Sequence, residues 1–173
     1  RLVTRFVERA HYSRLTVDDS LSDATLKTYL ETLDGNSHYF LQSDIAYFAR
    51  YKTTLDDSLR RGDMEPVFDI FRLYRLRAQQ NIGYAMSLLD QEPDFTLDED
   101  YVFAREKLPW AATPAEMQDL WRKRVKNDAL SLMLADKTWK ETGDILRKRY
   151  QRVLDRVNEL DSDDVFETFM NSF

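Results

Sequence analysis

Apolar residues recur at helical spacing along most of this chain, and the places where the spacing fails divide it into elements. Leu26, Tyr29, Leu30 and Leu33 lie on one stripe. Ile45, Phe48, Ala49, Leu55 and Leu59 form the next, which predicts a helix closing at Gly62, a residue that tolerates the positive φ of a helix C′ position. Pro66 stands where a first-turn proline belongs. From it runs the longest stripe: Val67, Ile70, Phe71, Tyr74, Ala78, Ile82, Ala85, Leu88 and Leu89. A helix of that length spans about 35 Å and is the predicted spine of the fold. Gly83 inside it either marks a close crossing or is simply tolerated.

Residues 93–112 break the periodicity, mixing acids with Phe95, Tyr101, Phe103 and Trp110. An irregular stretch of that length in a compact domain needs a reason. Its aromatics predict an ordered strap packed across the helices. Thr113-Pro-Ala-Glu116 and Thr138-Trp-Lys-Glu141 then read as capping boxes, each an N-cap hydroxyl with an acid three residues on. The helix after the first buries Met117, Leu120, Trp121, Val125, Ala129 and Leu132. The helix after the second buries Ile145, Leu146, Tyr150, Val153, Val157 and Leu160. Ser162, Asp163 and Asp164 open a last helix, with acids at its positive end. The expected fold is all-α, a single orthogonal or irregular helical domain of about seven helices with one long irregular strap.

Composition narrows the function. At 173 residues, 43% hydrophobic and 32% charged, the chain carries enough apolar side chains for one core. Only four glycines and four prolines argue for long regular elements. A net charge of -6 argues against a general nucleic-acid binder. Zero cysteines excludes disulfides, thiolate metal sites and cysteine nucleophiles, and suits an oxidising compartment as well as a reducing one. There is no apolar run of about 18 residues to span a membrane. The start lacks an initiating Met and an apolar signal core, and Phe173 directly follows a helical-looking segment, so both ends read as cut.

The candidate chemistry is sparse. His11 and His38 are the two histidines, and neither has a second His at metal-ligand spacing. His38 reads as a capping or loop-packing residue. The acid runs at Asp18-Asp19, Asp98-Glu-Asp100 and Asp161-Ser-Asp-Asp164 fit no calcium loop and read as solvated faces and helix starts. The basic runs Arg72-Leu-Tyr-Arg-Leu-Arg77 and Arg147-Lys-Arg-Tyr-Gln-Arg152 read as solvated helix faces rather than a nucleic-acid surface. Trp110, Trp121 and Trp139 read as core. No nucleophile elbow, phosphate loop or dinucleotide fingerprint occurs. No catalytic, cofactor-binding or metal-binding residue is expected.

Several segments follow one another in a telling order. Thr4-Arg-Phe6, His11-Tyr12, Leu30-Glu-Thr-Leu-Asp34, Ser37-His-Tyr-Phe-Leu-Gln-Ser-Asp-Ile45 and Leu59-Arg-Arg-Gly-Asp63 come first. Pro109-Trp110, Leu120-Trp121, Asp128-Ala-Leu-Ser-Leu132 and Asp164-Val-Phe-Glu-Thr-Phe-Met-Asn-Ser-Phe173 follow. Together they resemble the N-terminal helical region of the tail-specific (carboxy-terminal processing) proteases of the bacterial periplasm. The family-like turn comprises Asp34, Ser37, His38, Tyr39 and Phe40. Gly35 departs from the family, which often has a proline there.

The resemblance implies that residues 1–173 are the N-terminal helical domain of a larger protease, with PDZ and catalytic domains beyond the C-terminus. In such a parent a PDZ domain captures apolar C-termini, and a serine nucleophile with a lysine base cleaves. This region's implied role is architectural, with docking of a lipoprotein adaptor as a further expectation. Val165, Phe166, Phe169 and Phe173 are the expected inter-domain contacts, partly stranded without their partners. The rival readings are a free-standing helical interaction module, for which no repeat near about 34 residues is found, and a helical enzyme using dispersed acids.

Overall fold

The computed structural model describes residues 19–172. His11, the segments before it and Phe173 lie outside the described residues. Within them the chain forms seven α-helices: α1 Asp19–Asp34, α2 Gln42–Phe48, α3 Leu55–Arg60, α4 Glu65–Leu88, α5 Pro114–Leu134, α6 Trp139–Glu159 and α7 Ser162–Met170. A 3-10 turn spans Ala49–Tyr51. No strand occurs among the described residues; Leu41 and Ala111 make an isolated parallel bridge. The fold is all-α. It divides into two compact units, a division the periodicity did not indicate, with the boundary between Leu73 and Tyr74 inside α4.

The first unit comprises the chain up to Asp34, Ser43–Leu73 and the chain from Asp161. Here α1 packs against the 3-10 turn, α3 and α7. Its stripe buries Leu26, Tyr29 and Leu30 with Phe48, Leu55, Leu59, Val67, Ile70 and Phe71. Tyr29 meets Phe169 edge-on, ring centroids 5.2 Å apart, and its hydroxyl donates to the Val67 carbonyl at 3.2 Å. Burial raises this phenol, which stays a neutral donor. Ser22 and Asp56 tie α1 to α3 from inside. The Ser22 hydroxyl donates to the Asp56 carboxylate at 2.9 Å and accepts the Asp56 N–H at 2.8 Å.

Two expectations are corrected in this unit. The stripe from Ile45 to Leu59 is broken between α2 and α3. Thr54 leaves helical backbone (φ -124, ψ -9) and its hydroxyl donates to the Arg50 carbonyl at 3.1 Å. β-branched residues at Thr53 and Thr54 lose side-chain freedom in a helix, and a threonine hydroxyl offers the backbone another partner. Ala49 consequently faces solvent. The closure at Gly62 is as expected: φ is 73°, Gly62 N–H reaches the Leu59 carbonyl, and Asp63 N–H reaches that of Ser58, a Schellman motif. The second correction concerns α7. Val165 and Phe169 are 3% and 0% exposed, with Phe169 on Tyr29, so neither is stranded. Phe166 is half-buried.

The second unit comprises Gly35–Gln42 and Tyr74–Leu160. The later part of α4 lays Ala78, Ile82, Ala85 and, just past its end, Leu89 against Met117, Trp121, Val125 and Ala129 of α5 and Leu146, Tyr150 and Val157 of α6. Gly83 faces solvent, and a Cβ there would meet nothing within 4 Å, so it marks no crossing. Thr113 and Thr138 cap α5 and α6 by accepting the N–H groups of Glu116 and Glu141 at 3.2 Å each. Glu116 turns its carboxylate to the Ala112 N–H, one residue ahead of the cap. The reciprocal box instead forms in the first unit, where Asp161 and Asp164 open α7.

Candidate functional site

Residues 35–41 leave helical backbone between α1 and α2, and the turn residues Ser37 to Phe40 are fixed by a shared set of partners in the second unit: Leu108, Asn81, Tyr74 and Trp121. Ser37 is the left-handed residue of the turn (φ 55). Gly35 is not in that region. Phe40 is 0% exposed and lies 6.1 Å from the Tyr74 ring; Tyr39 meets Tyr74 at 5.4 Å and Trp121 at 5.8 Å. Main-chain groups are claimed as well. The His38 carbonyl accepts the Trp121 indole N–H at 2.7 Å and the Asn81 amide at 3.2 Å, and the Tyr39 carbonyl accepts Asn81 at 3.3 Å. Gln42 donates its N–H to the Ala111 carbonyl and its amide to that of Trp110, both at 2.9 Å.

His38 is the centre of this arrangement. Its ring is buried beside Trp121, with Nδ1 3.2 Å from an Arg124 nitrogen and Nε2 3.2 Å from the Tyr101 hydroxyl. A guanidinium has donors and no acceptor, so Nδ1 accepts from Arg124. The neutral ring then carries its proton on Nε2 and donates it to the Tyr101 oxygen. Burial, then the charges of Arg124 and Arg105, push His38 down to about 3. Arg124 is held in turn over the Trp121 ring, 4.5 Å from its centroid. A histidine kept neutral, with both nitrogens occupied, is suited to position backbone and unsuited to exchange protons near pH 7.

A second polar cluster holds the strap at residues 93–112. Arg122 takes Glu99 with both arms, Nη1 to Oε1 at 3.0 Å and Nη2 to Oε2 at 2.5 Å. Lys126 reaches Glu99 Oε1 and the Leu97 carbonyl, each at 2.8 Å. Arg122, then Lys126, hold the Glu99 carboxyl down to about 2. The acid run around Glu99 is therefore more than a solvated face, which corrects the sequence reading. The available signal was a pair of cations four residues apart on one side of α5. The strap's aromatics do less than expected: Phe95 packs on the core, Tyr101 is half-buried, and Phe103 is 68% exposed. Trp121 is core, whereas Trp110 and Trp139 are half-buried.

Several cations of the basic runs are occupied within the protein. Arg72 pairs with Glu65 and Asp69, Arg75 donates to the Leu160 carbonyl at the end of α6, and Arg147 pairs with Asp90. Among the described residues no group of three or more His, Asp or Glu could hold a metal ion. No helix among them is long and apolar enough to cross a membrane.

Comparison with known proteins agrees along the whole length. The family model described as the tail specific protease N-terminal domain matches residues 3–173. The tail-specific protease of Haemophilus influenzae is 37% identical over 174 residues, which cover 100% of this chain and 25% of that relative. The chain thus spans about a quarter of the length of the curated relative it matches.

Proposed function

Because the chain belongs to the family of tail-specific protease N-terminal domains, we propose that it is the non-catalytic, architectural and docking front of a periplasmic serine endopeptidase. That parent recognises apolar C-termini and processes or degrades periplasmic proteins. Its PDZ and protease domains lie beyond residue 173 in the same chain and supply the serine nucleophile and lysine base. A lipoprotein adaptor is a further proposed partner. Phe166 and Phe173 are the proposed contacts to the other domains.

The observation that carries this reading is the commitment of the polar side chains at the family-like turn. His38 has both ring nitrogens and its carbonyl engaged, and is pushed far below neutrality. Such a cluster fixes a chain path and offers no base near pH 7. The test is hydrolysis of apolar-tailed peptides and proteins by the purified chain and by the parent. The chain alone is expected to give no turnover, and the parent to lose degradation of whole proteins when residues 1–173 are deleted. Turnover by the chain alone, abolished by a single substitution within it, would overturn the proposal.

A further inference from the structure

Between the strap and α5, within the second unit, lies a recess of about 320 Å³, at the small end of the ~300–1,000 Å³ range of ligand sites. Its apolar wall is Trp110, Val102, Pro109 and Leu120. Its notable polar group is Arg105, set by the turn in which the Leu108 N–H reaches the Arg105 carbonyl at 3.0 Å. The Arg105 Nε is buried and makes no hydrogen bond. No ion pair engages its guanidinium among the described residues, whereas Arg122, Lys123 and Lys126 on the facing helix each have one.

We propose that this recess binds a small organic carboxylate with an apolar body, the Arg105 guanidinium taking the carboxylate and Trp110, Val102 and Leu120 taking the body. The other charges at the recess fit that class. Asp119 is engaged by Arg122 at 2.8 Å and Lys123 at 3.2 Å, and Glu116 by the Ala112 N–H at 2.8 Å. Neither competes for Arg105. Asp100 also lines the recess and is exposed; its charge disfavours a dianion more than a single carboxylate. The guanidinium fork matches a carboxylate in the plane, and the half-buried Trp110 supplies a large flat apolar face.

The test uses the full 173-residue chain with N-acetyl-leucine as probe and N-acetyl-leucinamide as its uncharged counterpart. Binding is followed by tryptophan fluorescence and by the NMR resonance of the Arg105 guanidinium protons, which moves downfield when they gain an acceptor. Saturable binding of the acid below about 10 mM, at least tenfold tighter than the amide and with that resonance shifted, is the expected result. Arg105→Gln should weaken the acid at least tenfold with an unchanged circular dichroism spectrum, and Arg105→Lys should weaken it less. Equal binding of acid and amide, no saturation, or an Arg105→Gln affinity equal to that of the parent chain would overturn the proposal. Each of those results leaves the scaffold reading untouched.

Discussion

The turn at residues 35–42 and the strap at residues 93–112 are both irregular backbone in the same unit, and they are held by different means. The turn is short and anchored from inside: the His38 carbonyl takes two donors, the His38 ring is gripped at both nitrogens, and Phe40 is fully buried. The strap is long and anchored at its rim by Glu99 on Arg122 and Lys126, while Leu97, Val102 and Phe103 stay exposed. Buried, directional partners make a segment cooperate with the core, whereas an ion pair at the rim is partly screened by solvent. The difference between the two segments is one of depth rather than of regularity.

The sharpest way to break this comparison is to remove the anchor of the turn. His38→Ala empties a buried ring site and strands a hydrogen-bond network. It should lower stability by about 2–3 kcal/mol, read as a shift in the urea midpoint. A loss under about 0.5 kcal/mol, the ordinary level for a surface change, would mean that the turn is held by its aromatics alone.

Acid separates the two segments next. His38 is pushed down in the folded state to about 3, against 6.5 for the free side chain, so on acidification the unfolded chain takes up the proton first. The turn's contribution is complete above pH 6.5 and declines as pH falls towards 3, with a slope of at most about 1.4 kcal/mol per pH unit. Glu99 is held down to about 2 against 4.5, so its contribution is complete above 4.5 and is lost as pH falls through 2. Between pH 6 and pH 5 the parent chain should lose stability that a His38→Gln variant does not lose. Parallel pH profiles for the two proteins would place the titrating group elsewhere.

These two segments also show what a sequence can reveal. The turn was legible because its signals are local: a helix stripe ends at Leu33, Gly35 and Asn36 follow, and an aromatic pair precedes the next helix. The order of such segments was enough to place the family. The anchors of the strap were illegible because Glu99 sits in an acid run like any other, and its cations lie more than twenty residues further on. The same limit explains α7. Its apolar face reads as unpartnered from its own residues, whereas the partner of Phe169 is Tyr29, near the other end of the chain. The break between α2 and α3 was written locally, in Thr53 and Thr54, but apolar spacing masked it.

Glu99→Gln is the next smaller change. It keeps the shape and removes the charge from the bidentate contact. Hydrogen exchange at residues 93–112 should quicken while the global urea midpoint stays near that of the parent chain, because local opening of a rim-anchored segment does not unfold the core. If exchange quickens equally at Trp121 and Ile82, the strap belongs to the cooperative core and the contrast with the turn disappears.

The smallest effect is expected at Phe103. Its ring is 68% exposed and touches Tyr101 edge-on at 5.2 Å, so it leaves little apolar surface buried for a substitution to lose. Phe103→Ser should change stability by no more than about 0.5 kcal/mol. It tests the original expectation that aromatics hold the strap in place. Were the loss to approach that of His38→Ala, the ring would have to be packed in solution, and the strap would be anchored by burial as the turn is. A near-zero result leaves the strap held by Glu99, by Tyr101 on His38, by Phe95 on the core and by the Gln42 bonds to Trp110 and Ala111. It also leaves Phe103 as a large apolar side chain whose position is set by something other than the stability of this unit.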